Sequence, residues 1–392
     1  MSALLAGPIW GAHVSHATLF AIAAVTLLAC LLTMWLGALR HRARLRAVPV
    51  RIHVAGTRGK STTTRLIAAG LRAGGRKVLA KTTGSEPRLI LPDGSETTWA
   101  RRGPAAVREQ TRLFAKASRL GVDTVVVECM AIRPEFIWAS EEHLVQATTA
   151  VITNVRPDHF EDIGNDANAA ANAARWVVPA KGQLVVAAEA MTPDLQARSD
   201  TRGTAVNVVD TAGLAPKAAD RALALAVCAV HGVAAEIAGP AMDADTGDPA
   251  NFFERQLIIG GKCVRFANAF ACNDVSSLAL LWPQHSDADV PVVLLNARPD
   301  RPLRTKRFLE FLAARNPIPV VFVVGDPLAL RLARRAGFQS DTLRPLRARK
   351  VDAAMTELAA ATPSGGTIWG VGNYHGFGAR LIAAVARQGT PC

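Results

Sequence analysis

The sequence predicts an α/β protein in three parts: an N-terminal transmembrane helix, a central domain with a parallel sheet around a phosphate-binding loop, and a smaller α/β domain at the C-terminus. Three observations predict it. Residues 17–39 carry no charge. Residues 50–61 run from an apolar strand straight into a glycine-rich turn. Beyond them, short β-branched runs alternate with helical stretches, the signature of parallel βαβ units.

Residues 17–39 hold only three threonines as polar interruptions, and as a helix at about 1.5 Å per residue they match the ~30 Å hydrocarbon core of a bilayer. No Lys or Arg precedes the span, whereas Arg40, Arg42, Arg44 and Arg46 follow it. A signal peptide would have a basic leader and a shorter apolar run. The positive-inside rule puts the short segment 1–16 outside, 40–49 as a polybasic linker, and the bulk of the chain in the cytoplasm at the cell membrane. With 50% hydrophobic residues, the remainder is long enough for two cores, read as 50–262 and 263–392. The six cysteines (30, 129, 228, 263, 272 and 392) form no Cys-x-x-Cys pair, which favours a reducing compartment over a structural zinc site. The net charge of +13 is spread over many arginines, and with a single tyrosine there is no base-stacking platform, so nucleic acid is not the expected partner. A basic surface suits anionic lipid or an acidic substrate.

The first strand, near 50–55, delivers Gly56-Thr57-Arg58-Gly59-Lys60-Ser61-Thr62 to the start of a helix. Backbone N–H groups at such a turn, with the helix dipole behind them, suit an anion. Gly56 and Gly59 let the backbone approach a phosphate, Lys60 reaches its outer oxygens and Ser61 offers a hydroxyl to Mg²⁺. A second strand, Lys77–Lys81, runs into Thr82-Thr83-Gly84. A third, Thr124–Val127, ends at Glu128. A fourth, Ala150–Thr153, ends at Asn154 and is followed by Arg156, Asp158 and His159. Ligands of open α/β sheets bind beyond the carboxyl ends of the strands. Each of these residues alone has a bland reading, as a cap, a surface acid or a loop histidine; all four strands ending in chemistry is harder to dismiss. Ser61 and Glu128 are hard oxygen ligands for Mg²⁺. His159 suits a second metal or a contact near the γ-phosphate, and Lys60 stabilises charge on a transferred phosphoryl group.

Gly-Thr-Arg-Gly-Lys-Ser (56–61), Thr-Thr-Gly (82–84), Glu128 and Thr-Asn-Val-Arg-Pro-Asp-His (153–159) occur in the order and spacing of the Mur ligase family of ATP-dependent amide ligases, which the chain resembles from about residue 50 onward. The wording of 53–61 and 80–88 is similar to one branch of that family, the CapB-like ligase subunit of poly-γ-glutamate (capsule) synthase. The resemblance implies ATP with one or two Mg²⁺ ions, Mn²⁺ as a substitute, glutamate and its growing acidic polymer as substrates, and small integral-membrane synthase or export subunits as partners. It implies a catalytic set of Lys60, Glu128 and His159, with Ser61, Glu128 and His159 as metal ligands. ATP and its phosphates fall to residues 56–62, Asn154, Asn268, Asn273 and Asp274. Two departures stand out: the loop follows directly on the anchor, with no domain for a UDP-linked precursor, and segment 172–176 (Asn-Ala-Ala-Arg-Trp) lacks the modified lysine of many relatives.

In the second half, 180–255 reads as the remaining elements of the central domain, with 243–249 as an exposed acidic turn. Residues 266–274 resemble the start of the Mur C-terminal, Rossmann-like domain. Strands are expected at Val292–Leu295, Val320–Val324 and Thr367–Val371. The first ends in a cluster, 296–301, whose Arg298 and Arg301 suit either a substrate carboxylate or a local salt bridge. With Thr83 and Arg156 they complete the candidate substrate residues. The last ends in a loop, 370–378, that lacks the third glycine of a dinucleotide fingerprint because His375 stands there, and is read as facing the cleft. A Mur-type ligase acting on another acceptor and a membrane-linked P-loop regulator of polymer export remain the alternatives.

Overall fold

The computed structural model describes residues 16–84, 87–101, 103, 105–155, 172–245, 247, 252–270, 272, 275–282, 291–315 and 317–391. It opens on a 31-residue helix, α1 (His16–Arg46), whose apolar stretch has a mean hydropathy of 2.4 and is not buried against the rest of the molecule.

The chain then builds an eight-stranded sheet. Its elements are β1 (Val50–Ala55), α2 (Lys60–Ala73), β2 (Val78–Thr82), β3 (Arg88–Ile90), β4 (Glu96–Thr98), α3 (Glu109–Leu120), β5 (Thr124–Glu128), α4 (Pro134–Ala139), β6 (Thr149–Ile152), β7 (Gln183–Ala187), α5 (Pro193–Arg202), β8 (Ala205–Val209), α6 (Pro216–Val230) and α7 (Ala235–Asp243). The strand order is β4-β3-β2-β5-β1-β6-β7-β8. β2, β5, β1, β6, β7 and β8 run parallel, and the short β3 and β4 add an antiparallel edge. Runs such as Val-Val-Val in β5 are buried on both faces, as covered parallel strands require. Helices α2, α6 and α7 pack against one another on one face, where Leu66, Ile67 and Leu71 meet Leu223, Val227 and Met242 in one core. α3 covers the other face with Leu113, Phe114 and Ala117.

The second sheet holds β9 (Glu254–Ile259), β10 (Lys262–Asn268), α8 (Val275–Leu281), β11 (Val292–Asn296), α9 (Pro302–Ala313), β12 (Val320–Val324), α10 (Leu328–Arg335), β13 (Leu343–Pro345), α11 (Val351–Ala361), β14 (Thr367–Gly372), α12 (Phe377–Gln388) and β15 (Thr390–Pro391). Its order is β13-β12-β11-β14-β10-β9-β15, parallel from β13 to β10 and antiparallel at β9 and β15. β9 and β10 pair across the Gly260-Gly261 turn. A boundary at 262/263 would therefore divide one hairpin, and the second sheet starts at Glu254.

Segment 40–49 is not a linker. Through Arg46 it continues α1, and its apolar residues dock. His41, Leu45 and Val48 are buried, and the His41 ring meets Phe114 of α3 edge-on with centroids 6.0 Å apart. His41 Nε2 lies 3.0 Å from the Leu144 carbonyl. The Arg51 guanidinium donates to the carbonyls of Leu45 at 3.2 Å, Val48 at 2.7 Å and Gln146 at 2.8 Å. The arginine run hides an amphipathic turn: one apolar side chain per helical repeat is enough to seat the helix. The acidic turn after α7 is likewise anchored, because Asp243 pairs with Arg221 and Asp245 with Arg65 of α2.

Candidate active site

The four strands that end in polar residues are four neighbours, β2-β5-β1-β6, and their carboxyl ends open on one side. β1 ends at Gly56 (φ +117°), and Gly59 (φ +78°) caps α2. A Cβ on Gly56 would stand 2.3 Å from Thr153 Oγ1, and one on Gly59 would stand 2.0 Å from Asp220 Oδ1, so both positions need glycine for space as well as for φ. Thr57 N–H donates to the Asn154 carbonyl at 3.0 Å, while Thr153 Oγ1 donates to the Arg58 carbonyl at 2.5 Å. Asn154, expected at ATP, lines the cleft, and its side chain also holds the loop, accepting from Arg58 N–H and donating to the Arg58 carbonyl, each at 3.0 Å.

Lys60 folds back over the loop, its Nζ donating to the carbonyls of Gly56 at 2.8 Å and Thr57 at 3.1 Å. That places the ammonium across the loop mouth, where it can exchange carbonyls for phosphate oxygens. Ser61 Oγ donates to Glu128 Oε2 at 2.8 Å, and Thr83 N–H donates to the same oxygen at 2.6 Å. Glu128, 3% exposed, thus stands between the loop and the end of β2, and among the described residues its Oε1 is left over. A hydroxyl that gives its proton to a carboxylate turns its lone pairs outward, so this oxygen pair fits a hard divalent cation.

These residues line a cleft of about 520 Å³ that the second sheet closes from the other side with Phe270, Arg298, Arg301, Arg304, Asn373, Tyr374 and His375. Among the described residues, six basic side chains (Arg58, Lys60, Arg101, Arg298, Arg301 and Arg304) face it, against one acid, Glu128. That balance suits a polyanion. The second wall is itself braced. Asn296, at the end of β11, donates through Nδ2 to the carbonyls of Asn373 and of His375, the latter at 2.9 Å, and Asn373 Nδ2 returns a bond to the Asn296 carbonyl at 3.1 Å. The loop 370–378 therefore faces the cleft. Arg298 is engaged bidentately by Asp300 at 2.9 and 2.7 Å, which is the local salt bridge of its two readings. Arg301 lies on the cleft at the start of α9.

Not every expected residue comes to the cleft. Asn268 is fully buried, its Oδ1 accepting from Phe270 N–H at 3.3 Å, and it does not line the cavity. Arg156, His159, Asn273 and Asp274 lie outside the described residues. Ala173 and Ala174 line the cleft in the segment 172–176. Sequence reasoning missed Arg101 and Arg304, which sit in no motif, and gave Thr153 no role in the loop although it is two residues past the strand register of Val151 with Val54.

A family model described as the Mur ligase middle domain matches residues 54–225, and one described as the poly-γ-glutamate synthase CapB C-terminal domain matches residues 255–388. The chain is 29% identical over 380 residues to PGA synthase CapB of Bacillus subtilis (strain 168), covering 92% of this chain and 96% of that one. It is 27% identical over 366 residues to the capsule biosynthesis protein CapB of Bacillus anthracis, covering 89% and 79%. Among solved structures it is similar in fold to a bifunctional folylpolyglutamate synthase/dihydrofolate synthase from Yersinia pestis complexed with AMPPNP and Mn ion, with a TM-score of 0.62 at 18% identity over 89% of this chain and 92% of that one.

Proposed function

The chain belongs to the Mur ligase family as an ATP-dependent amide ligase related to CapB, and from that premise we propose that it polymerises glutamate into poly-γ-glutamate at the cytoplasmic face of the membrane. The observation that carries the reading is the cleft in which the phosphate loop and the Ser61–Glu128 pair face a wall of arginines. An anionic nucleotide and an anionic chain end would be held side by side.

In this reading a substrate carboxylate oxygen attacks the γ-phosphorus of ATP, ADP leaves, and an acyl phosphate results. The amine of an incoming glutamate attacks the acyl carbon, and collapse expels phosphate and a proton to give the amide. Lys60 neutralises charge on the transferred group, and the loop N–H groups of residues 56–61 orient the phosphates. Ser61 and Glu128 would hold Mg²⁺ or Mn²⁺, which supplies charge neutralisation at the outer phosphates. The arginines from the second sheet hold the acidic substrate, and approach of the two sheets over it excludes water that would hydrolyse the acyl phosphate. α1 anchors the enzyme beside the small membrane subunits that export the polymer.

The test is ADP release by membranes bearing the protein, each amino acid offered in turn, with Lys60→Ala as blank. Glutamate-dependent, Mg²⁺-dependent release with polymer formed is the expected result. Turnover with a different amino acid would keep the ligase chemistry and overturn the substrate. No amino-acid dependence, with partner subunits present, would favour the regulator of export.

A further inference from the structure

Arg101, in the segment after β4, lines the cleft together with Thr83 and Gly84. Its Nε donates to Glu109 Oε1 at 2.9 Å. The other oxygen of Glu109 lies 2.9 Å from Nζ of Lys81, which is fully buried in β2. Two basic side chains therefore share one carboxylate, and burial pulls the pKa of Lys81 down. Lys81 is sealed inside the sheet, whereas the Arg101 side chain is 28% exposed. Glu109 fixes the Nε edge of the guanidinium, and among the described residues neither Nη group has a partner. A planar fork held by one edge and open at the other is shaped to receive a carboxylate or phosphate. A guanidinium on a partly desolvated wall is costly until an anion meets its open edge.

The strand order says which anion. The phosphates belong to the loop after β1, and Glu128 of β5 stands between that loop and the end of β2. Arg101 follows β4, so the strand order sets it on the β2 side of Glu128, opposite the loop after β1, the side left for the substrate chain. We propose that Arg101 is a specificity-determining residue that grips a second, non-reacting carboxylate of the substrate chain end, so that a dicarboxylate residue presents one fixed carboxylate for activation. The proposal rests on the ligase reading above and extends it: of the two carboxylates on a terminal glutamate, the one held by Arg101 is spared and the other is activated.

The experiment uses the full chain in membranes with Mg²⁺ and a γ-linked glutamate trimer as probe. A matched trimer has hydrogen in place of the terminal α-carboxylate. Binding of each is measured in the presence of a non-hydrolysable ATP analogue, alongside ADP release with ATP. In the native protein, loss of that carboxylate should weaken binding roughly 10- to 100-fold, the range for a charge-assisted pair. Arg101→Gln should bind the intact trimer as weakly and show no further loss with the truncated one, while its affinity for ADP is unchanged. Arg101→Lys, charged but without the fork, should fall between. A merely structural role for Arg101 would lower both trimers equally and keep the discrimination, and that result overturns the proposal even if glutamate is polymerised. If the native protein discriminates between the trimers and Arg101→Gln does not, yet glutamate drives no ADP release, the carboxylate site stands and the polymerase reading falls.

Discussion

Asn154 grips the backbone of Arg58 from both directions, accepting from its N–H and donating to its carbonyl, each at 3.0 Å. The residue at the end of β6 thereby sets the shape of a loop that begins at the end of β1. Replacing Asn154 with Ala removes both bonds and leaves the Arg58 carbonyl held by Thr153 Oγ1 alone, at about 1–3 kcal/mol. The expected outcome is a folded protein whose ADP affinity falls roughly tenfold or more in titration calorimetry. Asn154→Asp keeps one bond and sets a negative charge beside the phosphates, so its loss should be larger. Equal affinity in native protein and Asn154→Ala would show that the loop holds its shape without the clamp.

The Ser61–Glu128 contact makes a separate prediction. Glu128 accepts from both Ser61 Oγ and Thr83 N–H. Glu128→Gln can keep one acceptor oxygen but loses the charge that a divalent cation needs, so half-maximal ADP release should require roughly tenfold more Mg²⁺ or beyond, while nucleotide binding without metal is unchanged. Ser61→Ala should raise the Mg²⁺ requirement less, because the carboxylate remains. An unaltered Mg²⁺ dependence in Glu128→Gln would remove that residue from the metal site.

Gly59 is predicted to be the least replaceable position in the loop. Its φ of +78° costs an L-residue about 1 kcal/mol, and its Cβ would overlap the Asp220 carboxylate at 2.0 Å. Gly59→Ala should lower the melting temperature by several degrees and abolish nucleotide binding. Gly59→Ala combined with Asp220→Ala should recover part of the stability, because the overlap with the carboxylate is gone. A double variant no more stable than the single one would place the cost elsewhere.

The four chemistry-bearing strands were legible because a buried parallel strand is an unbroken apolar run and the change to polar residues marks its end. β1, β2, β5 and β6 fall within a residue or two of the expected ranges. Glycines at the loop marked the tight turn between β1 and α2 for the same local reason. What stayed hidden depends on distant partners. Arg101 belongs to the cleft through Glu109 of α3 and Lys81 of β2, and no spacing rule connects the three. Asn268 sits at the end of β10 like a site residue, yet the backbone of Phe270 takes its side chain. The edge strands β3, β4 and β15 are two or three residues long, too short to show a period.

His231 yields a prediction about pH. At the end of α6, its Nε2 lies 3.0 Å from Thr149 Oγ1. Burial, and then the nearby Arg76 guanidinium, push its pKa down to about 4. The unfolded chain takes up this proton near pH 6.5 and the folded one only near 4, so the contribution to stability is complete above 6.5 and is lost as pH falls from 6.5 to 4. With partial solvent screening the loss is on the order of 2 kcal/mol. Chemical denaturation at a series of pH values should show a slope across that window in the native protein and a flatter one in His231→Gln. Identical slopes would assign the acid sensitivity to carboxylates alone.

The seat of α1 on the sheet domain decides where the proposed anchor can be cut. Leu45 is 2% exposed and Val48 fully buried against the face that carries Phe114. Uncovering one such leucine costs about 2–4 kcal/mol, since both the transfer energy and the filled volume are lost. A chain beginning at residue 40 keeps the docked turns and should bind ADP as the native protein does, released from membranes and no longer making exported polymer. A chain beginning at residue 49 loses Leu45 and His41 and should melt several degrees lower, with apolar surface exposed to a hydrophobic dye. In the full-length chain, Leu45→Asp should reproduce the lower melting temperature while leaving the apolar span of α1 intact. If both cuts melt alike, the contact is incidental, and the catalytic domains hang from the membrane helix on a free tether.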